Sequence, residues 1–370
     1  MAEARKFLFG PGEAVPWFRA AALNRSPAYA FDIAGGRVVL LLFFGSAAEP
    51  ASADALARVM ALRALFDDSQ AAFFGITVDP RDAPEGRIRQ QLPGLRFFLD
   101  YQRQLSAAFG AALDDGGYRP HWLLLDRTLR VAGCFALDQG EAALAAAAAL
   151  AIAPPAQDWA PVIAVPDVLE PELCRRLIHA YEADGGEESG FMQDEGGKTR
   201  LIVDPSHKIR RDFLIEEPGF ARQLNLRLVH RLLPMVSRAF SFTATRVERL
   251  LVGCYEAETG GHFRAHRDNT TKGTAHRRFA VTINLNAEDY EGGDLCFPEF
   301  GPRTYRAPTG GAIVFSCSLL HQAMPVTKGR RFAFLPFLYD EETALLRERN
   351  AVFLEGEGAN YRADQDVKVC

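Results

Sequence analysis

At 370 residues the chain is longer than one compact core usually takes and has room for two domains. Its 48% apolar and 24% charged content is that of an ordinary globular protein, and a net charge of -5 without a basic stripe gives no electrostatic reason to expect a nucleic-acid partner. Six cysteines (Cys134, Cys174, Cys254, Cys296, Cys317, Cys370) lack CxxC spacing, which argues against a disulfide framework or zinc ribbon. No apolar run reaches the roughly 18 residues that span a bilayer, so a reducing cytoplasm without membrane attachment is expected.

In chain order, residues 38–44 (VVLLLFF) form an apolar run of strand length, and residues 53–66 follow with apolar residues at helical spacing. Residues 72–78 read as a second buried strand closed by Asp79-Pro80, an order that predicts a right-handed crossover and parallel neighbours. Residues 121–126 and 129–135 suggest a hairpin, and residues 139–150 a closing helix that is apolar enough to be buried. Pro154-Pro155 ends that helix and marks a linker. Beyond it come a strand at 162–165, a helix at 170–183, a polar Gly-rich stretch at 184–198 expected as a mobile loop, and a long helix at 220–240. Short strands dominate from Val247 onward, and a helical pattern returns from Glu341 to about Arg349.

Pro11-Gly12 with Pro16-Trp17-Phe18, the 38–44 strand, Thr77-Val78-Asp79, Phe97-Phe98-Leu99-Asp100 and Arg119-Pro120 together resemble the thioredoxin-like fold of peroxiredoxins, over nearly all of residues 1–152. In that family the nucleophilic thiolate sits after the first central strand, where a helix N-terminus lowers its pKa. Here that loop reads Gly45-Ser46-Ala47-Ala48-Glu49-Pro50-Ala51-Ser52, with alanines at both positions of a thioredoxin's CxxC. Peroxide reduction is therefore not expected. Pro120 is the position for the fold's cis-proline, and Cys134, in an apolar strand, is expected to be buried and structural.

The chemistry concentrates in the second half. A non-haem iron centre needs two imidazoles and a carboxylate on one face of the ion, with the opposite face open. In His266-Arg267-Asp268 the two outer residues project to the same side of an extended segment and can reach one ion together. His321, after the apolar strand 311–315, qualifies as third ligand. Arg331 stands ten residues later, and its planar, permanently charged fork suits a dicarboxylate. Arg330 competes for that role, but adjacent strand residues face opposite sides. His262 and His276 are expected outside the ligand set, His276 as a solvated loop residue. Arg264, Arg267 and Lys272 are either solvated loop charges or a greeting for an acidic substrate.

His266-Arg267-Asp268, the Gly292-Gly293-Asp294-Leu295 turn, His321 in an HQxxPVxxGRR context and Arg331 are similar to the prolyl 4-hydroxylase branch of Fe(II)/2-oxoglutarate dioxygenases, over about residues 161–340. The resemblance implies a double-stranded β-helix (jelly roll) with supporting helices. It implies Fe(II) on His266, Asp268 and His321, and 2-oxoglutarate with its distal carboxylate on Arg331. Tyr255 maps to the family's tyrosine that hydrogen-bonds 2-oxoglutarate, although residue type alone equally admits a core position. Thr282 or Asn284, on the strand 278–286, would face the co-substrate. The implied reaction hydroxylates a small-molecule or peptidyl substrate while 2-oxoglutarate becomes succinate and CO₂, with ascorbate a candidate auxiliary. Asp268 fills the position that related halogenases leave open for halide, which favours hydroxylation. The competing class is a non-catalytic adaptor with a structural metal.

The expected layout is a thioredoxin-like α/β domain without redox cysteines at 1–152, a linker at 153–160, the dioxygenase domain at 161–345 and a tail at 346–370. Docking, substrate presentation or a homodimer through the N-terminal domain are the roles open to that domain.

Overall fold

The computed structural model describes residues 8–23, 29–154, 159–354 and 359–364. The chain divides into two compact units, one of residues 1–158 with 298–301, the other of residues 159–297 with 302–370. Residues 155–158 of the expected linker, and Cys370, lie outside the described residues.

The first unit is built on β1 (Val38–Gly45), α1 (Pro50–Ala61), β2 (Ala71–Thr77), β3 (Leu95–Leu99), β4 (His121–Leu125), β5 (Val131–Ala136) and α2 (Gly140–Ile152). Its sheet runs β3-β2-β1-β4-β5. β1 is parallel to β2 and β2 to β3, whereas β4 and β5 are antiparallel neighbours. All eight residues of β1 are buried because it is central and covered on both faces. Alternation splits its side chains: Val39, Leu41 and Phe43 enter one core, and Val38, Leu40, Leu42 and Phe44 the other. Small residues Ala143, Ala147 and Ala151 repeat every four positions along α2 and let it settle onto the second core. One face of α2 is buried, while Ile152 is exposed, so the alanine run is a surface helix on a sheet.

At the start of α1 the place of a peroxiredoxin thiolate is taken by carboxylates. Asp82, fully buried, accepts hydrogen bonds from the Ala47 amide (3.0 Å) and Thr77 Oγ1 (2.6 Å), and Ser46 Oγ donates to Asp79 (2.8 Å). Arg87 pairs with both aspartates. The helix N-terminus thus already carries its anion. Among the described residues the cis peptide is Leu92-Pro93, so Pro120 is trans and the expectation at that position fails. Cys134 is half-buried and its thiol donates to the Phe9 carbonyl.

The second unit contains β6 (Val162–Val165), α3 (Pro171–Asp184), β7 (Phe191–Glu195), β8 (Lys198–Ile202), β9 (Lys208–Ile209), β10 (Arg211–Leu214), α4 (Pro218–Arg227), α5 (Leu233–Phe240), β11 (Arg246–Glu248), β12 (Leu251–Glu256), β13 (His262–His266), β14 (Phe279–Asn284), β15 (Leu295–Cys296), β16 (Ala312–Ser316), β17 (His321–Ala323), β18 (Arg330–Phe334), β19 (Phe337–Tyr339) and α6 (Glu341–Asn350). The large sheet runs β11-β19-β14-β18-β12-β10, with β16 joining β14 to β6, and the small one contains β9-β13-β17-β15. All of these pairings are antiparallel.

The large sheet has two unlike faces. Val252, Cys254, Val281, Ile283, Val314, Phe332, Phe334 and Leu338 join Leu173, Leu177, Leu224, Leu228 and Val236 of the helices in one apolar core. Strand alternation therefore turns Tyr255, Thr282, Asn284 and Arg331 to the other face. That face is the interior that receives the small sheet's residues.

Two expectations give way here. The stretch expected as a mobile loop is largely the hairpin β7–β8, whose two-residue turn Gly196-Gly197 has φ of 58° and 80°, the left-handed geometry that matches strand twist. The long helix is interrupted by a π turn at Leu228–Leu232 before Pro234, since proline cannot donate to the preceding turn. Residues of the expected tail pack onto this unit: Asn350 Nδ2 donates to the Lys272 carbonyl (2.8 Å), and Arg246 donates to the Ala363 carbonyl (2.8 Å). No helix of the described residues is long and apolar enough to cross a membrane.

Candidate metal centre

β13 and β17 lie side by side in the small sheet with His266 opposite His321, and Asp268 follows β13 by two residues. One ligand atom from each of the three lies within 4.8 Å of the others, the set that the spacing of the sequence anticipated. Asp268 stands between the imidazoles, its Oδ1 3.4 Å from His266 Nε2 and its Oδ2 3.4 Å from His321 Nε2. Those gaps exceed an ordinary N–H···O bond, whereas donor atoms about 2.1 Å from a shared ion stand roughly 3 Å apart. The donor set therefore fits an octahedral divalent cation with one open face.

The imidazoles are held by their far nitrogens. His266 Nδ1 lies 2.7 Å from the Arg264 carbonyl and His321 Nδ1 3.0 Å from that of Leu319, so each Nδ1 carries the proton and each Nε2 presents its lone pair. Phe263 stacks on His266 with ring centres 3.5 Å apart. Burial, with His321 nearby, lowers the His266 pKa to about 4 and keeps that ring neutral. Burial alone would raise the Asp268 pKa, but His321, His266 and Arg277 outweigh it and hold the carboxylate well below its usual range. A buried carboxylate and a neutral His266 ring suit a metal better than a solvated turn.

Arg331 and Arg330 part as strand alternation requires. Arg330 is exposed and pairs with Glu182 at 2.7 Å. Arg331 is 3% exposed, donates from Nη2 to Thr282 Oγ1 (3.1 Å) and stacks over Tyr255 at 5.2 Å, with no carboxylate partner among the described residues and its Nε unsatisfied. Asn284 donates one of its two amide hydrogens to the Ala307 carbonyl (2.7 Å). Tyr255 is buried, and Arg210 Nη1 donates to its hydroxyl at 3.3 Å.

Several residues escaped the sequence reading. Tyr290, two residues before the GGDL turn, joins Tyr255, Ala323 and Val326 in a small cluster, with its buried hydroxyl beside the Arg331 guanidinium. Gly293, with φ of 70°, approaches both Tyr290 and Arg331 so closely that a Cβ would meet Arg331 Cδ at 3.2 Å. Lys208, Arg210 and Asp212 alternate on the interior face, a pattern visible in Lys208-Ile209-Arg210-Arg211-Asp212 once that segment is known to be extended.

Other expectations are corrected. His276 is fully buried, its Nε2 2.8 Å from Glu248, whose carboxylate also takes two bonds of 2.8 Å from Arg277. The loop carrying His276 folds inward because that carboxylate is already inside. Arg267 is buried and donates to the Ser318 carbonyl, and Lys272 stacks 3.7 Å over Phe353. Arg267 is thereby committed to structure, whereas Lys272 is an exposed loop residue, one of the two readings expected of it. His262 is outside the convergent set, as expected.

Residues 250–339 match the model of the 2OG-Fe(II) oxygenase superfamily. A PKHD-type hydroxylase of Pseudomonas fluorescens is 28% identical over 222 residues, covering 55% of this chain and 88% of the relative. Among solved structures, a prolyl hydroxylase of Trichoplax adhaerens aligns with 17% identity over 50% of this chain and 86% of its own, TM-score 0.38. A peroxidoxin of Mycobacterium tuberculosis aligns with 20% identity over 38% and 98%, TM-score 0.33. Residues 250–339 thus form a 2OG-Fe(II) oxygenase domain, and the chain is a 2-oxoglutarate-dependent oxygenase of the hydroxylase kind.

Proposed function

We propose that the protein hydroxylates an organic substrate, a small molecule or a peptidyl residue, at an Fe(II) ion held by His266, Asp268 and His321, while 2-oxoglutarate is converted to succinate and CO₂. The observation that carries this reading is the convergence of those ligands in the same interior as Arg331, a buried cation with no carboxylate of its own. When bound, Fe(II) supplies the activation of O₂.

The chain's own groups do the rest. The backbone carbonyls of Arg264 and Leu319 aim both imidazoles, and Asp268 stays ionised without a proton to displace. Arg331 offers its unspent donors to the distal carboxylate of 2-oxoglutarate, and Thr282 sets the plane of the guanidinium. Thr282 is the better co-substrate neighbour because its hydroxyl already meets Arg331, whereas the Asn284 amide is tied to the Ala307 carbonyl. Tyr255 and Tyr290 wall the pocket with rings that exclude water.

Anaerobic addition of Fe(II) and 2-oxoglutarate should give a weak visible charge-transfer band, and admission of O₂ should yield succinate even without substrate. A His266→Ala protein that kept the band, or a wild-type protein that made no succinate, would defeat this assignment.

A further inference from the structure

The interior wall beside the triad carries more positive charge than it neutralises. Lys208, Arg210 and Arg249 converge on a single carboxylate, Asp212. Arg210 grips it through two bonds of 2.6 and 2.7 Å, and Arg249 Nη2 stands 3.6 Å away. Ser189 Oγ ties the group together, donating to Asp212 and accepting from Lys208 (2.6 Å) and Arg210 (3.3 Å). Lys208 is 5% exposed, and its other acceptor is the Gly190 carbonyl at 2.6 Å, so it has no carboxylate of its own.

This cluster belongs to the reaction chamber. Lys208 Nζ lies 4.8 Å from the centre of the Phe263 ring, which also stacks on His266, and Arg210 reaches the Tyr255 hydroxyl. Arg249 keeps 37% of its side chain open to solvent, at the mouth of the cluster. Burial and the neighbouring Arg210 outweigh the attraction of Asp212 and lower the Lys208 pKa to about 6, so a carboxylate arriving beside the amine would favour its protonated form. Arg331 occupies a different strand, with Tyr255 between it and Arg210, so one 2-oxoglutarate on Arg331 leaves this wall unneutralised.

Resting on the oxygenase reading above, we propose that the substrate of this enzyme is a small molecule bearing a carboxylate, which seats on Lys208 and Arg249 while the carbon to be oxidised faces the metal. Arg210 is a positioning residue, bound by Asp212, that keeps Tyr255 and Lys208 in place. The acidic-substrate role considered for Arg264, Arg267 and Lys272 thereby passes to cations on the opposite strand.

The test uses the full chain with Mn(II) in place of Fe(II) and saturating 2-oxoglutarate, and reads paramagnetic relaxation of the acetyl methyl protons of N-acetyl-L-alanine against N-acetyl-L-alaninamide, two probes that differ in charge. The acid should be relaxed about tenfold more strongly than the amide, and Lys208→Met and Arg249→Met should each remove about tenfold of that enhancement. Arg211→Met, on the outward face of the same segment, should leave it unchanged. Equal relaxation of acid and amide, or an enhancement that survives both interior substitutions, overturns the proposal. If 2-oxoglutarate's own protons are not relaxed, the oxygenase reading fails and takes this one with it; relaxed 2-oxoglutarate beside unrelaxed N-acetylalanine sinks this one alone.

Discussion

Replacing Arg331 with methionine should move ligand affinity and stability in opposite directions. The side chain is buried, donates to Thr282, lies beside Tyr290, and has no carboxylate partner among the described residues. Two charge-assisted bonds to the distal carboxylate of 2-oxoglutarate, at about 1.5 kcal/mol each, amount to about 3 kcal/mol, or roughly a 10²-fold loss of affinity. Meanwhile the ligand-free protein loses a buried, uncompensated cation and gains apolar volume, so its thermal midpoint should hold or rise. Anaerobic titration of the Fe(II) protein with 2-oxoglutarate, followed by the charge-transfer band, gives the first quantity, and unfolding without metal or co-substrate gives the second. A purely structural arginine would behave inversely. If Arg331→Met unfolded more easily by 2 kcal/mol or so and bound 2-oxoglutarate normally, the reasoning would be wrong.

His266→Ala should lower Fe(II) affinity at least about 10²-fold, measured by anaerobic calorimetry, because two donors cannot hold the face that three define. Gly293→Ala forces a Cβ to within 2.9 Å of Val326 Cγ2 and 3.2 Å of Arg331 Cδ at positive φ; it should cost about 1–2 kcal/mol of stability in denaturant unfolding and weaken 2-oxoglutarate binding, whereas normal binding would detach the turn from the pocket. Glu248→Gln leaves Arg277 buried without its carboxylate and should destabilise by about 3–5 kcal/mol at pH 7. Burial opposes ionisation of Glu248, but Arg277 and His276 hold its pKa well below 4.5. Its contribution is therefore complete above that value and fades as pH falls through the folded pKa, and the variant should lack this acid limb of the stability curve. Burial, with Glu13 nearby, pushes the Cys134 thiol up to about 11, so it should resist iodoacetamide at pH 8 until the protein is unfolded; rapid modification of the native protein would contradict its packing.

Residue order alone singled out the candidate triad, because His266 and Asp268 lie two residues apart on one extended segment and His321 follows an apolar strand. Those local facts need no knowledge of the rest of the chain. It also determined the core strands 38–44 and 72–78, whose unbroken apolar runs admit only a sheet covered on both faces, and the missing thiol after the first of them. What tertiary structure decided was direction and charge balance. Local sequence could not say that His276 and Arg267 turn inward, since the carboxylate and carbonyl that receive them come from Glu248 and Ser318, distant in the chain. The hairpin at Gly196-Gly197 was hidden because a glycine pair signals a turn and mobility alike until its flanking strands find partners. Nothing in the local sequence marks Lys208, Arg210 and Asp212; strand pairing placed Lys208 over Phe263 and Arg210 at the Tyr255 hydroxyl. A charge's meaning depends on the dielectric and partners around it, and only the folded chain assembles those.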